Sequence, residues 1–109
     1  MFFELRQYNI KSGQRENWIQ LMEEEILPFQ LSKGMVVVGS FVSENPEEDG
    51  DLYVWIRRFE SEVQREDLYR SVYETDHWKV NLGPRVGELI DREKISVTRI
   101  VPTSKSIIR

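Results

Sequence analysis

The sequence predicts an α+β domain built on a four-stranded antiparallel sheet with helices packed on it. Three observations carry that expectation: short alternating apolar runs, two longer stretches with apolar residues three or four apart, and their order along the chain, strand, helix, strand, strand, helix, strand. With 109 residues, 39% of them hydrophobic and 31% charged, the chain suffices for one compact domain and not for two. Residues 1–102 are read as that single domain and residues 103–109 as a C-terminal tail, whose only apolar signal is Ile107-Ile108.

The first strand is expected from Phe2 to Ile10, where Phe2, Glu4, Arg6, Tyr8 and Ile10 alternate with Phe3, Leu5, Gln7 and Asn9. After Lys11-Ser12-Gly13 the period changes. Trp18, Leu21, Met22, Ile26 and Phe29 form one stripe of a helix from about Gln14 to Ser32, with Pro28 kinking its last turns and Gly34 stopping it. Its Glu23-Glu24-Glu25 run is read as a solvated face. Met35 to Val42 is short and rich in β-branched residues, the pattern of a strand buried on both faces.

The segment from Ser43 to Gly50 carries proline, glycine and acids, which predicts a hairpin loop; its acids lack the spacing and closing glutamate of a calcium loop. The third strand, Leu52 to Phe59, sets Leu52, Val54 and Ile56 against Tyr53, Trp55, Arg57 and Phe59. Ser61-Glu62-Val63-Gln64 has capping-box spacing and opens a helix to about Glu74 with Leu68, Tyr69, Val72 and Tyr73 inward. Thr75-Asp76 caps a further helical segment with His77 and Trp78, and Val86, Leu89 and Ile90 continue helical offsets before a last strand from Lys94 to Val101. Right-handed crossovers narrow this order to a ferredoxin-like βαββαβ sandwich. Helices cover one sheet face only, yet both faces of strands two and three are apolar. The chain is therefore expected to pair sheet to sheet with a second copy, as a homodimeric α/β barrel.

Composition removes several function classes. There is no cysteine, which excludes a disulfide scaffold, a thiolate metal site and a cysteine nucleophile. One histidine cannot build the usual metal triads, so neither metal nor cofactor is expected. Fifteen basic residues are dispersed among nineteen acidic ones for a net charge of -4, which argues against a nucleic-acid partner. The opening Met1-Phe2-Phe3-Glu4-Leu5-Arg6 lacks a secretion signal's basic region and apolar run, and no stretch reaches the roughly 18 apolar residues that span a bilayer. The expected setting is cytoplasmic, without a membrane partner. Glycine-rich phosphate loops, His-Glu-x-x-His and Gly-x-Ser-x-Gly are all absent.

Three short blocks carry a family resemblance: Glu4-Leu5-Arg6-Gln7-Tyr8 followed by Lys11-Ser12-Gly13, then Trp55-Ile56-Arg57-Arg58-Phe59-Glu60-Ser61, then Asp76-His77-Trp78. Together they resemble the NIPSNAP family, over nearly the whole chain from Phe2 to about Pro102. The resemblance implies membership of the dimeric α/β-barrel superfamily, alongside cofactor-independent quinone-forming monooxygenases and haem-degrading enzymes. It implies a fold and a dimer, and no particular reaction.

Candidate site residues follow from the strands. Glu4, Arg6 and Tyr8 share one face of strand one, and strand three beside it supplies Tyr53, Trp55 and Arg57. Arginine next to aromatic rings suits a flat anionic ligand, through charge-assisted hydrogen bonds and stacking. The competing reading has Glu4 paired with Arg6 or Arg57 inside the dimer, with the aromatics as barrel filling. Whether this row faces the dimer barrel or a helix–sheet cleft is open at this level. Trp78 is a further candidate ligand contact, although it and Trp18 equally suit the core. His77 is the candidate catalytic acid–base, being the one side chain with an ordinary pKa near neutrality, and equally suits a surface or cap position. Two functions compete. One is a homodimer binding a small aromatic or acidic molecule or a protein partner; the other is a cofactor-independent monooxygenase or isomerase-like enzyme acting on a small aromatic substrate. A cavity of several hundred Å³ lined by these residues favours a binder or enzyme, and a filled interior favours an interaction protein.

Overall fold

The computed structural model describes residues 1–109. Four strands, β1 (Phe2–Asn9), β2 (Val36–Val42), β3 (Leu52–Phe59) and β4 (Ser96–Ile100), form one antiparallel sheet in the order β2-β3-β1-β4. Helices fill the two crossovers: α1 (Arg15–Leu21) and α2 (Leu27–Ser32) in the first, α4 (Glu62–Tyr73) and α5 (Gly83–Leu89) in the second. A single turn, α3 (Pro46–Asp49), sits in the acidic hairpin loop between β2 and β3. This is the ferredoxin-like α+β architecture that the order of elements predicts.

Each crossover contains one widened helical turn, and each lies directly before a proline. Between α1 and α2 the Leu27 amide donates to the Met22 carbonyl, five residues back. Before α5 the Gly83 amide donates to the Trp78 carbonyl in the same way. Pro28 and Pro84 follow these amides, lack an N–H, and crowd the carbonyl four residues behind them. A π turn opens the ladder enough to relieve that crowding while the helix continues. A Cβ on Gly83 would stand 2.9 Å from the Trp78 carbonyl oxygen, so the second π turn requires glycine. Gly34, at φ +99°, ends α2 in the left-handed conformation that its neighbours cannot adopt cheaply.

The Ser61 cap forms, with Gln64 reaching one residue beyond the predicted Ser61 amide. The Ser61 hydroxyl accepts from the Gln64 amide at 3.1 Å, and the Gln64 side chain accepts from the Glu60 amide at 2.6 Å. At the next helical start the Thr75 hydroxyl, rather than Asp76, accepts from the Trp78 amide.

The helices cover the sheet face that carries Tyr8, Tyr53 and Trp55. Trp18, Leu21, Met22 and Ile26 meet these aromatics from the first crossover, and Leu82, Val86 and Ile90 from the second. A smaller cluster of Phe2, Met35, Phe59 and Val72 fills the far end. The open question of the aromatic row is thereby resolved: it lies between helices and sheet, and the Glu4–Arg57 pair belongs to one protomer's interior.

The opposite face holds Leu5, Val54 and Ile56, half-buried, flanked by exposed Val36, Phe41 and Ile100. The tail turns back along it, so that Pro102 and Ile108 share a groove with Phe3 and Ile56. β2 is the edge strand of the sheet, and within one protomer Val38 and Phe41 are 37% and 55% exposed, so the second-face burial read from its sequence is not supplied by the protomer itself.

Ser61→Ala removes the cap acceptor and should cost about 1 kcal/mol. A thermal melt is expected to show a transition lowered by about 4–8 °C; an unchanged transition would mean that the box is decorative.

A cavity between two arginines

The antiparallel register builds the site. Tyr8 stands opposite Tyr53, Arg6 opposite Trp55 and Glu4 opposite Arg57, all on the helix-covered face. Alternation in two strands thus lays a ladder of aromatic and charged side chains beneath the helices.

Arg57 is fully buried, and almost all of its donors are taken. Nη2 donates to Glu4 Oε1 at 2.8 Å and to the Tyr69 hydroxyl at 2.6 Å; Nη1 donates to Gln30 Oε1 at 3.0 Å and the Tyr73 hydroxyl at 2.7 Å. The guanidinium also lies 4.6 Å from the centre of the Trp55 ring. Burial opposes its charge, but the phenols of Tyr73 and Tyr69 and the Glu4 carboxylate outweigh that, and its pKa is raised. Glu4 is buried as well and receives Arg65 Nε at 2.7 Å on its second oxygen. Burial pushes its carboxyl up, yet the hydrogen bonds from Tyr69 and Arg65 and both guanidinium charges hold it below the usual range.

Beside this network lies a cavity of about 380 Å³ between sheet and helices. Its walls are chiefly apolar, with Trp18, Met22 and Ile26 from the first crossover and Trp78, Val86 and Ile90 from the second. Tyr8 and Trp55 form the sheet side, and the rings of Tyr69 and Tyr73 close the end nearest Arg57. Two cations reach it, Arg6 and Arg92, and no carboxylate lines it. Arg6 is half-buried, forms no salt bridge, and has Tyr8 as its hydrogen-bond partner, Nε to hydroxyl at 2.8 Å. Burial works against its charge, but the Tyr8 phenol outweighs it and the pKa is raised. Arg92, exposed at the rim, is laid against α5 by a hydrogen bond to the Gly83 carbonyl.

Of the residues that the sequence singled out, Arg6, Tyr8, Trp55 and Trp78 meet at this cavity. Arg57 does not line it; it stands behind Tyr69 and Tyr73 and orients them. Tyr53 also lies off the cavity, its hydroxyl 2.7 Å from Ser40 Oγ and its pKa pushed up to about 12 by burial. His77 is exposed, its ring 4.8 Å from that of Phe29, and it lies outside the cavity although its neighbour Trp78 lines it. Tyr69, Tyr73 and Arg92 were not selected from sequence as site residues. Helical spacing marks both tyrosines as inward, and nothing local marks Arg92. Glu25, read as solvated, keeps a partly exposed side chain and is paired with Arg85 of α5 through contacts of 2.8 and 2.5 Å, which hold its carboxyl down.

Fold and cavity together define a ferredoxin-like α+β protein with an aromatic, cation-bearing pocket beneath its helices. The NIPSNAP family model matches residues 3–105, and the chain belongs to that family. A NIPSNAP family protein of unknown function from Agrobacterium tumefaciens is 25% identical, with a TM-score of 0.86 over 100% of this chain and 94% of that one. A second NIPSNAP family protein from the same bacterium is 24% identical, with a TM-score of 0.83 over 99% and 98%. A dimeric ferredoxin-like protein from an uncultured marine organism shares the fold at 13% identity, with a TM-score of 0.66 over 98% and 99%. No curated relative matches the sequence. No helix is long and apolar enough to cross a membrane.

Glu4→Gln leaves the Arg57 charge uncompensated in the interior and should destabilise the fold by about 3–5 kcal/mol. The sign with pH follows from the lowered carboxyl. Its stabilising contribution is complete above the unfolded value near pH 4.3 and is lost as pH falls through the folded value. Denaturant titrations from pH 7 to pH 3 should show wild type losing stability in the acid limb and Glu4→Gln losing less. Parallel acid limbs would contradict the role given to Glu4.

Proposed function

We propose that this NIPSNAP protein is a homodimer in which each protomer binds a small acidic aromatic molecule in the cavity beneath its helices. The observation that carries the reading is Arg6: a half-buried cation facing an apolar cavity with neither a carboxylate partner nor an acidic side chain in the walls. A cation held only for stability is normally paired when buried, as Arg57 is. The cavity volume lies within the range of small-molecule sites. An acid–base enzyme acting on the same class of molecule draws less support, because His77 lies outside the cavity and the walls offer arginines and tyrosines alone as ionisable groups.

The dimer reading rests on the outer sheet face. Val36, Phe41 and Ile100 are exposed there, beside half-buried Leu5, Val54 and Ile56. A contiguous apolar face of this kind is covered most economically by the same face of a second copy, which a two-fold axis supplies. The solved relative described as dimeric has the same fold, which is consistent with that assembly.

Native mass spectrometry of the protein as purified from cells tests both parts. The expected species is twice the 13.0 kDa protomer mass, carrying a small acid that is released on denaturation. Monomer alone at micromolar concentration would contradict the dimer. Phe41→Asp should leave a folded protomer, since Phe41 is 55% exposed, and convert the assembly to monomer in sedimentation. An intact Phe41→Asp dimer would place the interface elsewhere.

A further inference from the structure

Resting on the cavity as a binding site, we infer that its polar end recognises an ionised carboxylate as a group that only accepts hydrogen bonds. The inference comes from counting where each proton points. The Tyr8 hydroxyl oxygen receives Arg6 Nε at 2.8 Å and Trp55 Nε1 at 3.1 Å. Both partners are obligate donors, so both lone pairs of Tyr8 are used and its own hydrogen is left over. No acceptor in the protein takes it. The Tyr73 hydroxyl is in the same position: it receives Arg57 Nη1 at 2.7 Å and Gln30 Nε2 at 3.1 Å. The orientation of the Gln30 amide is fixed, because its oxygen accepts from Arg57. Arg6 keeps both terminal amines, since only its Nε is engaged.

The residues lining the cavity thus carry unspent donors on Arg6, Tyr8 and Tyr73, and no carboxylate to receive them. Buried donors without acceptors are costly, and such sets in folded proteins are usually completed by a ligand, water or ion. A carboxylate offers about four lone-pair sites and no hydrogen, which complements this set. An amide or an alcohol adds donors of its own and meets donors. A phosphate dianion also only accepts, but Arg6 is the one cation inside, with Arg92 exposed at the rim, and one fixed charge matches a monoanion. The rest of the molecule must be apolar and flat to lie among Trp55, Trp78, Met22 and Ile26. At roughly 30 Å³ of liquid volume per water, the cavity holds about a dozen water-sized groups, the size of a two-ring acid.

Calorimetric titration of the full chain with 2-naphthoate, 2-naphthamide and naphthalene tests the inference. The three probes share a ring system and differ in the head group. Naphthoate is expected to bind at least about 10-fold more tightly than naphthamide, the scale of a charge-assisted hydrogen bond. Tyr8→Phe, which keeps the ring and removes the donor, should lower naphthoate affinity and leave naphthalene affinity unchanged. Arg6→Gln should erase the preference for the acid. If naphthamide and naphthalene bind as tightly as naphthoate, the carboxylate inference falls while the cavity stands as an aromatic site. If none of the three binds, the binding-site reading falls with it.

Discussion

A guanidinium with no access to water organises this protein. Arg57 is held at the centre of the sheet, and a bare charge there would be prohibitively costly. Glu4, its cross-strand neighbour, supplies the counter-charge, while Gln30 from α2 and Tyr69 and Tyr73 from α4 take up the other hydrogens of its two terminal amines. One side chain therefore binds both helical crossovers to the sheet. Such a network adds little net stability over a well-packed apolar core, but every member must be in place once the charge is buried. The geometry it imposes is its main consequence, because the two phenols that it orients also close the end of the cavity.

Two residues along β1, Arg6 sits in similar surroundings with a different outcome. Both arginines touch aromatic rings and phenol oxygens, but only Arg57 has a carboxylate. The contrast separates a charge that completes a structure from one with no counter-charge among the cavity's walls. The two π turns contribute to the same end. Met22 and Ile26 from one and Trp78 from the other face the cavity, and an exposed Glu25–Arg85 pair bridges the first π turn to α5. Prolines thus shape the cavity walls without ending the helices that bear them.

Much of this was legible in the sequence. Period-two alternation in β1 and β3 named the face that gathers Glu4, Arg6, Tyr8, Trp55 and Arg57, and the capping box and Gly34 marked real helix boundaries. The side of the sheet taken by the helices was not legible, because Leu52, Val54 and Ile56 are as apolar as Tyr53, Trp55 and Phe59. Single-strand periodicity carries no information about which face meets which layer. Arg57 and Arg6 looked equivalent because the carboxylate and tyrosines that distinguish them arrive from other elements. His77 was singled out for its side-chain chemistry, which says nothing of direction: its neighbour Trp78 lines the cavity and His77 does not, since adjacent residues on a helical turn point about 100° apart.

The central claim is that Arg57 serves the fold and Arg6 serves a ligand, and equilibrium unfolding of Arg57→Met and Arg6→Met, without added ligand, tests it most directly. Arg57→Met should be strongly destabilised, since Glu4 is left buried without its principal partner, whereas Arg6→Met should be destabilised far less, because Arg6 is half-buried and gives up only its hydrogen bond to Tyr8. Equal destabilisation of the two variants would show that both arginines are structural and would contradict the account.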